Sequence, residues 1–251
     1  RAIAAVRTGQ NWSNERRRCP GACATRCRPR GCDAPAACAQ LAEKVPSGAL
    51  SMRTHADVRT GMIDAVEADA GPIDLFCSNA GISVAGGVEV EDDAWQKIWE
   101  INVMSHVWAA RHLVPLMAAR GGGYLLNTAS AAGLLNQIGS APYGVTKHAA
   151  VGLAEWLALT YGDQGIKVSV LCPQAVRTEM TRGHEDHVAA INGMMEPGPV
   201  AEACVETIRN ETFLVLPHPE VVQYMRNKTD NYDRWIGGMR KLNRRFGSFD
   251  T

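Results

Sequence analysis

A serine, a tyrosine and a lysine stand in one stretch of the chain at a spacing that proton-transfer chemistry can use. Ser130 precedes Tyr143 by thirteen residues, and Lys147 follows that tyrosine by four. Pro142 has the fixed backbone angle and missing N–H that suit the opening of a helix, and a helix begun there sets Tyr143 and Lys147 one turn apart on one face. A free phenol, with a pKa of about 10, is a poor base at neutral pH. An ammonium group one turn away favours the phenolate and draws its pKa toward the working range. Ser130 follows a short apolar run, Tyr124 to Asn127. If that run is a strand, the hydroxyl lies at its carboxyl end, where open parallel sheets bind ligands. Taken alone, Tyr-x-x-x-Lys also describes two residues on a solvated helix face.

The elements that must position these groups alternate regularly from Leu41 onward. Ala49 to Met52 reads as a short strand, and Asp57-Val58 follows it, with Asp57 also suited to cap the amphipathic stretch Met62 to Ala70. Ile73 to Cys77 has the length and apolar character of a buried parallel strand and ends in Ser78 and Asn79-Ala80-Gly81. Asp92 to Arg120 has helical periodicity, carried by Trp95, Ile98, Trp99, Val103, Val107 and Val114, with Asn102 inside it at a locally unfavourable place. Gly121-Gly122-Gly123 ends that helix. The helix opened by Pro142 runs to Gly162, a strand follows over Lys167 to Cys172, and a helix over Pro199 to Arg209 precedes a strand over Phe213 to Leu216. The tail from Pro219 to Phe246 is expected to be helical. Strands alternating with helices indicate an α/β fold, a doubly wound parallel sheet of Rossmann-like type in a single domain spanning 1–251.

In order and spacing these motifs resemble the short-chain dehydrogenase/reductase family over roughly residues 41–216. The resemblance implies hydride transfer between NAD or NADP and a small-molecule alcohol or carbonyl compound. By the same resemblance Tyr143 is the general acid/base, Ser130 holds the substrate oxygen, and Lys147 lowers the tyrosine pKa and binds the nicotinamide ribose. Asn102 matches the asparagine that holds a water behind the lysine. Asp57 and Val58 lie where the family contacts adenine. Asn79, Ala80 and Gly81 match its Asn-Ala-Gly, whose small residues admit the cofactor and whose amide holds neighbouring strands. Pro173 to Thr178 matches Pro-Gly-x-Val-x-Thr, with Val176 and Thr178 in register at the nicotinamide carboxamide and Gln174 in place of the glycine. Residues 179–197 correspond to a substrate lid, in which His184 and His187 are either substrate contacts or solvent-facing. A homodimer or homotetramer is also implied.

The amino-terminal forty residues depart from the pattern. Ala2 to Val6 reads as a weak first strand, and Thr8-Gly9 begins the family's cofactor turn, but its second and third glycines fall on Ser13 and Glu15. A carboxylate there repels a pyrophosphate. Asp33 lies near the place of the ribose-binding acid, which favours NAD over NADP. Between Arg7 and Gln40 there is no Val, Ile, Leu, Met, Phe or Tyr, and five of the eight cysteines crowd into that window. Three accounts stand: an out-of-frame reading with GC-rich codons, a basic arm that meets nucleic acid or an acidic partner, and a metal site of Cys19, Cys23, Cys27 and Cys32. The altered turn also keeps open a catalytically impaired member of the fold, with poor cofactor binding and a binding or regulatory role.

Composition narrows the classes. Lysine plus arginine equals aspartate plus glutamate at 26 each, which points to neither nucleic acid nor a membrane surface. No run of about 18 apolar residues occurs, so a soluble protein is expected. With no recognisable signal sequence, the expected compartment is the reducing cytoplasm, and the sequons at Asn11, Asn210 and Asn227 read as chance matches.

Overall fold

Short runs that are apolar on both faces become the strands of one parallel sheet in the computed structural model, which describes residues 2–6, 57–183 and 187–247. The strands are β1 (Ala2–Val6), β2 (Ile73–Ser78), β3 (Gly123–Thr128), β4 (Ile166–Leu171) and β5 (Leu214–Val215). Among the described residues they lie side by side in chain order, all parallel. The expected strand Ala49 to Met52 lies outside the described residues. The expected strand Phe213 to Leu216 narrows to the two residues of β5.

Helices cover both faces. On one side α1 (Asp57–Ala70), α3 (Ser105–Ala119) and α5 (Ala141–Tyr161) pack Ile63, Leu113, Met117, Ala154 and Leu157 against Phe76, Leu125 and Val170. On the other, α6 (Pro197–Asn210) packs Val200 and Cys204 against Leu126, Leu171 and Val215. Leu125 and Leu126 are neighbours in β3 yet enter opposite cores, as the two-residue period of a strand requires. The result is the Rossmann-like arrangement expected from the alternation. The turn into β3 depends on Gly122: its φ is +124°, and a Cβ there would lie 2.3 Å from the Gly165 carbonyl oxygen.

Two helical expectations change. The single helix over Asp92 to Arg120 is α2 (Asp92–Trp99), a π-helical turn over Glu100–Met104, and then α3. The widened turn surrounds Asn102, whose side chain reaches outside the helix for its partners, and such bulges concentrate at functional sites. The carboxyl tail is two helices, α7 (Glu220–Asp230) and α8 (Tyr232–Phe246). Asn231 divides them in an extended conformation and caps α8 by accepting the Arg234 backbone N–H at 2.9 Å. Among the described residues, no helix is long and apolar enough to cross a membrane.

Candidate active site

The expected start of the tyrosine helix is displaced by one residue. α5 begins at Ala141, and Ser140 caps it by accepting the Tyr143 backbone N–H at 3.2 Å. Pro142 then occupies the first turn, where its missing N–H costs nothing. Tyr143 and Lys147 share a face: the lysine Nζ lies 5.5 Å from the phenol ring centre. Ser130 lies two residues beyond β3. Its hydroxyl accepts the Ala132 N–H at 3.1 Å and donates weakly to the Pro173 carbonyl at 3.4 Å. These bonds tie the loop after β3 to the loop after β4. Ser130 also lies near enough to Tyr143 to favour its phenolate form. Close packing holds the pieces together, because the short α4 (Ala132–Leu135) rests on α5 through Gly133. A Cβ at Gly133 would lie 2.5 Å from the Lys147 carbonyl oxygen.

Electrostatics in this cluster are dominated by burial, which corrects one expectation. Tyr143 is held above the ordinary tyrosine pKa because its phenolate loses solvation, while the nearby Ser130 hydroxyl pulls the other way. The sequence argument had Lys147 drawing the phenol down. Burial acts on that lysine too, and its amine falls to about 8, with Cys172 opposing the fall. Beneath them the Cys172 thiol is pushed up to about 12 by burial, against the Ser130 backbone N–H and Lys147. It is therefore a neutral core group and no nucleophile at ordinary pH.

Asn102 is completely buried, not an exposed polar position of a helix. Its Oδ1 accepts the Ile82 N–H at 2.9 Å, and its Nδ2 donates to the Ile82 carbonyl at 3.0 Å and to the Thr146 hydroxyl at 3.2 Å. Asn102 thus locks the segment after Asn79-Ala80-Gly81 to α5, one residue from Lys147. Ala80 is buried, Gly81 is partly so, and the Asn79 side chain is exposed at the end of β2. A Cβ on Gly81 would meet the lysine Nζ at 3.4 Å and Asn102 Oδ1 at 3.5 Å, so this residue forms the wall beside the lysine.

Val176 and Thr178 follow β4 as the register required. Val176 bridges to Met195, and Thr178 is exposed and caps a turn at Glu179–Thr181, its N–H bound to the Thr181 hydroxyl. Backbone bonds join this loop to the segment expected as a lid, at both Ala189 and Met195. His187 caps a second turn by accepting the Ala189 N–H, and His184 lies outside the described residues. α1 opens at Asp57 itself, with Val58 next. Gly9, Ser13, Glu15, Asp33 and the four cysteines of the suggested metal site lie outside the described residues. Among the described residues, no cluster of three or more metal-ligating side chains occurs.

Three neighbours went unnoticed in the sequence. Thr146, adjacent to Lys147 and fully buried, was legible only as a helical polar residue. His106 lies one turn after Asn102, is buried with neither ring nitrogen hydrogen-bonded, and is kept neutral to about pH 3 by burial and then by the Lys147 charge. His218 accepts the Gln174 backbone N–H at 3.2 Å from the chain's far end. The four-residue step from Asn102 to His106 was the one available signal.

The residues present fit a nicotinamide ribose. The buried ammonium of Lys147 carries three N–H donors, and one of them reaches the Thr128 carbonyl at 3.2 Å. Comparison with known proteins agrees with this geometry. Residues 22–189 match the family model described as short chain dehydrogenase. The chain is 33% identical over 150 residues to a meso-2,3-butanediol dehydrogenase of Serratia marcescens, covering 57% of this chain and 59% of that one. It is 32% identical over 148 residues to a 3beta-hydroxysteroid dehydrogenase 2 of Eggerthella lenta, covering 58% and 56%. The chain therefore spans rather more than half the length of these curated relatives. A short chain dehydrogenase/reductase of Burkholderia phymatum, solved in complex with NAD, superposes with a TM-score of 0.62 at 25% identity over 71% of this chain and 72% of that one. With its serine, tyrosine and lysine converging at the carboxyl edge of a parallel sheet and its sequence matching over two thirds of its length, the chain belongs to the short chain dehydrogenase family.

Proposed function

We propose that the protein is an NAD(P)-dependent oxidoreductase that interconverts an alcohol and its ketone or aldehyde. The observation that carries this reading is the convergence of Tyr143, Lys147 and Ser130 at the ends of β3 and β4. A bound nicotinamide supplies the acceptor or donor of hydride. The chain's own residues handle the proton and the charge. Ser130 donates a hydrogen bond to the substrate oxygen and steadies the charge that develops there. In oxidation the Tyr143 oxygen takes the hydroxyl proton; in reduction it returns it. Lys147 holds the ribose hydroxyls with its remaining donors and keeps a positive charge near the phenolate when it forms. Asn102 and Thr146 fix the wall and the helix between which the lysine lies. Asn102 holds the water that connects Lys147 to solvent.

The finer parts of the reading are NAD over NADP, on the strength of Asp33, and a homodimer or homotetramer in the cytoplasm. The outer face of α5 supports assembly: Val145, Trp156 and Leu159 are exposed there, Leu159 at 86%. Tyr143→Phe tests the reaction itself. Turnover should be lost while cofactor affinity, read by nicotinamide fluorescence, stays near that of the wild type; retained turnover refutes the assignment.

A further inference from the structure

Immediately past Ser130 in the chain, a cavity of 460 Å³, open on one side to solvent, lies between α4, the segment 188–191 and the two carboxyl-terminal helices. Its wall begins at Ala131 and Ala132, the residues that follow the serine, and extends to α8. There Trp235, Met239 and Leu242 recur at helical spacing and face it, and Leu135, Ile138 and Ile191 add further apolar wall. The cavity equals the liquid volume of roughly fifteen waters, and apolar walls give most such waters no partner. Polar side chains enter the lining at two places: Asn227, Asp230, Asn231 and Arg234 at the junction of α7 and α8, and Asn136, Gln137 and Gln174 on the side of α4 and the loop after β4.

Hydrogen bonds tie the elements around the cavity to one another. Asn192 of the lid accepts two hydrogen bonds at one oxygen, from the Gln174 side chain at 3.2 Å and from the Tyr224 hydroxyl at 3.1 Å. Those three residues belong to the lid, the loop after β4 and α7. One amide oxygen thereby ties three walls together. Gln174, which stands where a glycine was expected, is thus part of the cavity's construction. Apolar, concave and largely preformed spaces of about 300–1,000 Å³ are what drug-sized ligands occupy. A short-chain alcohol would leave most of this one to water.

We propose that the substrate is a bulky, predominantly apolar secondary alcohol, or its ketone, of fused-ring size. Its carbinol carbon lies at Ser130 and Tyr143, its body fills the cavity, and any distal polar substituent meets the group around Arg234. This rests on the oxidoreductase reading. Oxidation moves the carbinol hydride to NAD(P)+ and the hydroxyl proton to Tyr143; the alcohol becomes a ketone and the dinucleotide is reduced.

The test compares a saturated four-ring 3-hydroxysteroid with 2-butanol on the full chain. Turnover is read by nicotinamide absorbance, and binding of the steroid by titration calorimetry in the presence of cofactor. The steroid should exceed 2-butanol in kcat/KM by about 100-fold or more, because each apolar group seated in a pocket multiplies discrimination. Met239→Trp, on a helix that has no fully buried residue, should cut that ratio by about tenfold or more by filling the cavity. A steroid no better than 2-butanol, or an equal loss for both in Met239→Trp, overturns the proposal while leaving the oxidoreductase reading intact. If neither alcohol reacts, that reading fails, and calorimetry decides the cavity: steroid binding that Met239→Trp abolishes upholds it, and no binding overturns it.

Discussion

Replacing Lys147 with methionine should make the protein more stable at neutral pH while removing its activity. The lysine is 3% exposed, and burial brings its amine from 10.5 to about 8. A tenfold change in proton affinity is worth about 1.4 kcal/mol, so holding the ammonium form in this site costs roughly 3 kcal/mol relative to the neutral amine. Methionine has nearly the same length and no charge. It loses the bond to the Thr128 carbonyl, worth about 1 kcal/mol, and a net gain of roughly 2 kcal/mol at pH 7 remains. The pH dependence identifies the cause. The unfolded lysine keeps its proton up to its ordinary value while the folded one loses it above about 8, so the unfolded state binds more protons between those limits. Wild-type stability therefore rises with pH there. Cys172 acts oppositely: its thiol goes from 9.0 to about 12, so above the lower value the folded state holds the extra proton and stability falls. The clean window is pH 8 to 9. Urea unfolding followed by tryptophan fluorescence at pH 7, 8 and 9 should show the variant's advantage shrinking by roughly 1 kcal/mol across that window. A wild type more stable than Lys147→Met at pH 7, or a gap that does not narrow by pH 9, would refute the reasoning.

Other perturbations probe the scaffold around the lysine. Asn102→Ala removes the three hydrogen bonds of a buried amide and should cost roughly 3 kcal/mol in chemical denaturation; a loss below about 1 kcal/mol would mean that the amide is not what ties Ile82 to α5. Gly133→Ala drives a Cβ into the Lys147 carbonyl and should destabilise by about 1–3 kcal/mol while lowering turnover; an unchanged melting temperature with full activity speaks against the α4–α5 contact as a spacer. Because burial holds the Tyr143 proton above the ordinary phenol value, alcohol oxidation should accelerate as pH rises, and a flat rate profile between about pH 6 and 10 would argue against this tyrosine as the base.

Local chemistry made much of this protein readable. Pro142 and the four-residue step from Tyr143 to Lys147 dictated a shared helix face, and the short apolar run from Tyr124 to Asn127 pointed to a buried strand. Those are periodicities of the backbone itself, so no tertiary information was needed. The helix over Asp92 to Arg120 shows the limit. Its apolar spacing was read correctly on both sides of Asn102, but the π turn there surrounds an asparagine that bonds the Ile82 backbone twenty residues away, and no local pattern encodes such a partner.

Protonation was decided by the fold alone. Sequence spacing identified which groups meet, and it rightly brought an ammonium to a phenol. It assigned the sign of the tyrosine shift from that one neighbour, whereas in the folded chain the loss of water is the largest influence on both groups. The cavity beside α4 likewise belongs to tertiary structure, because its walls come from α4, the segment 188–191 and α8, the first and last of them about a hundred residues apart in the chain. Residue types and their intervals determine which backbone elements form and which side chains share an edge. How much solvent remains around those side chains, and what volume is left empty beside them, depends on every element that packs there, and only the assembled fold contains that sum.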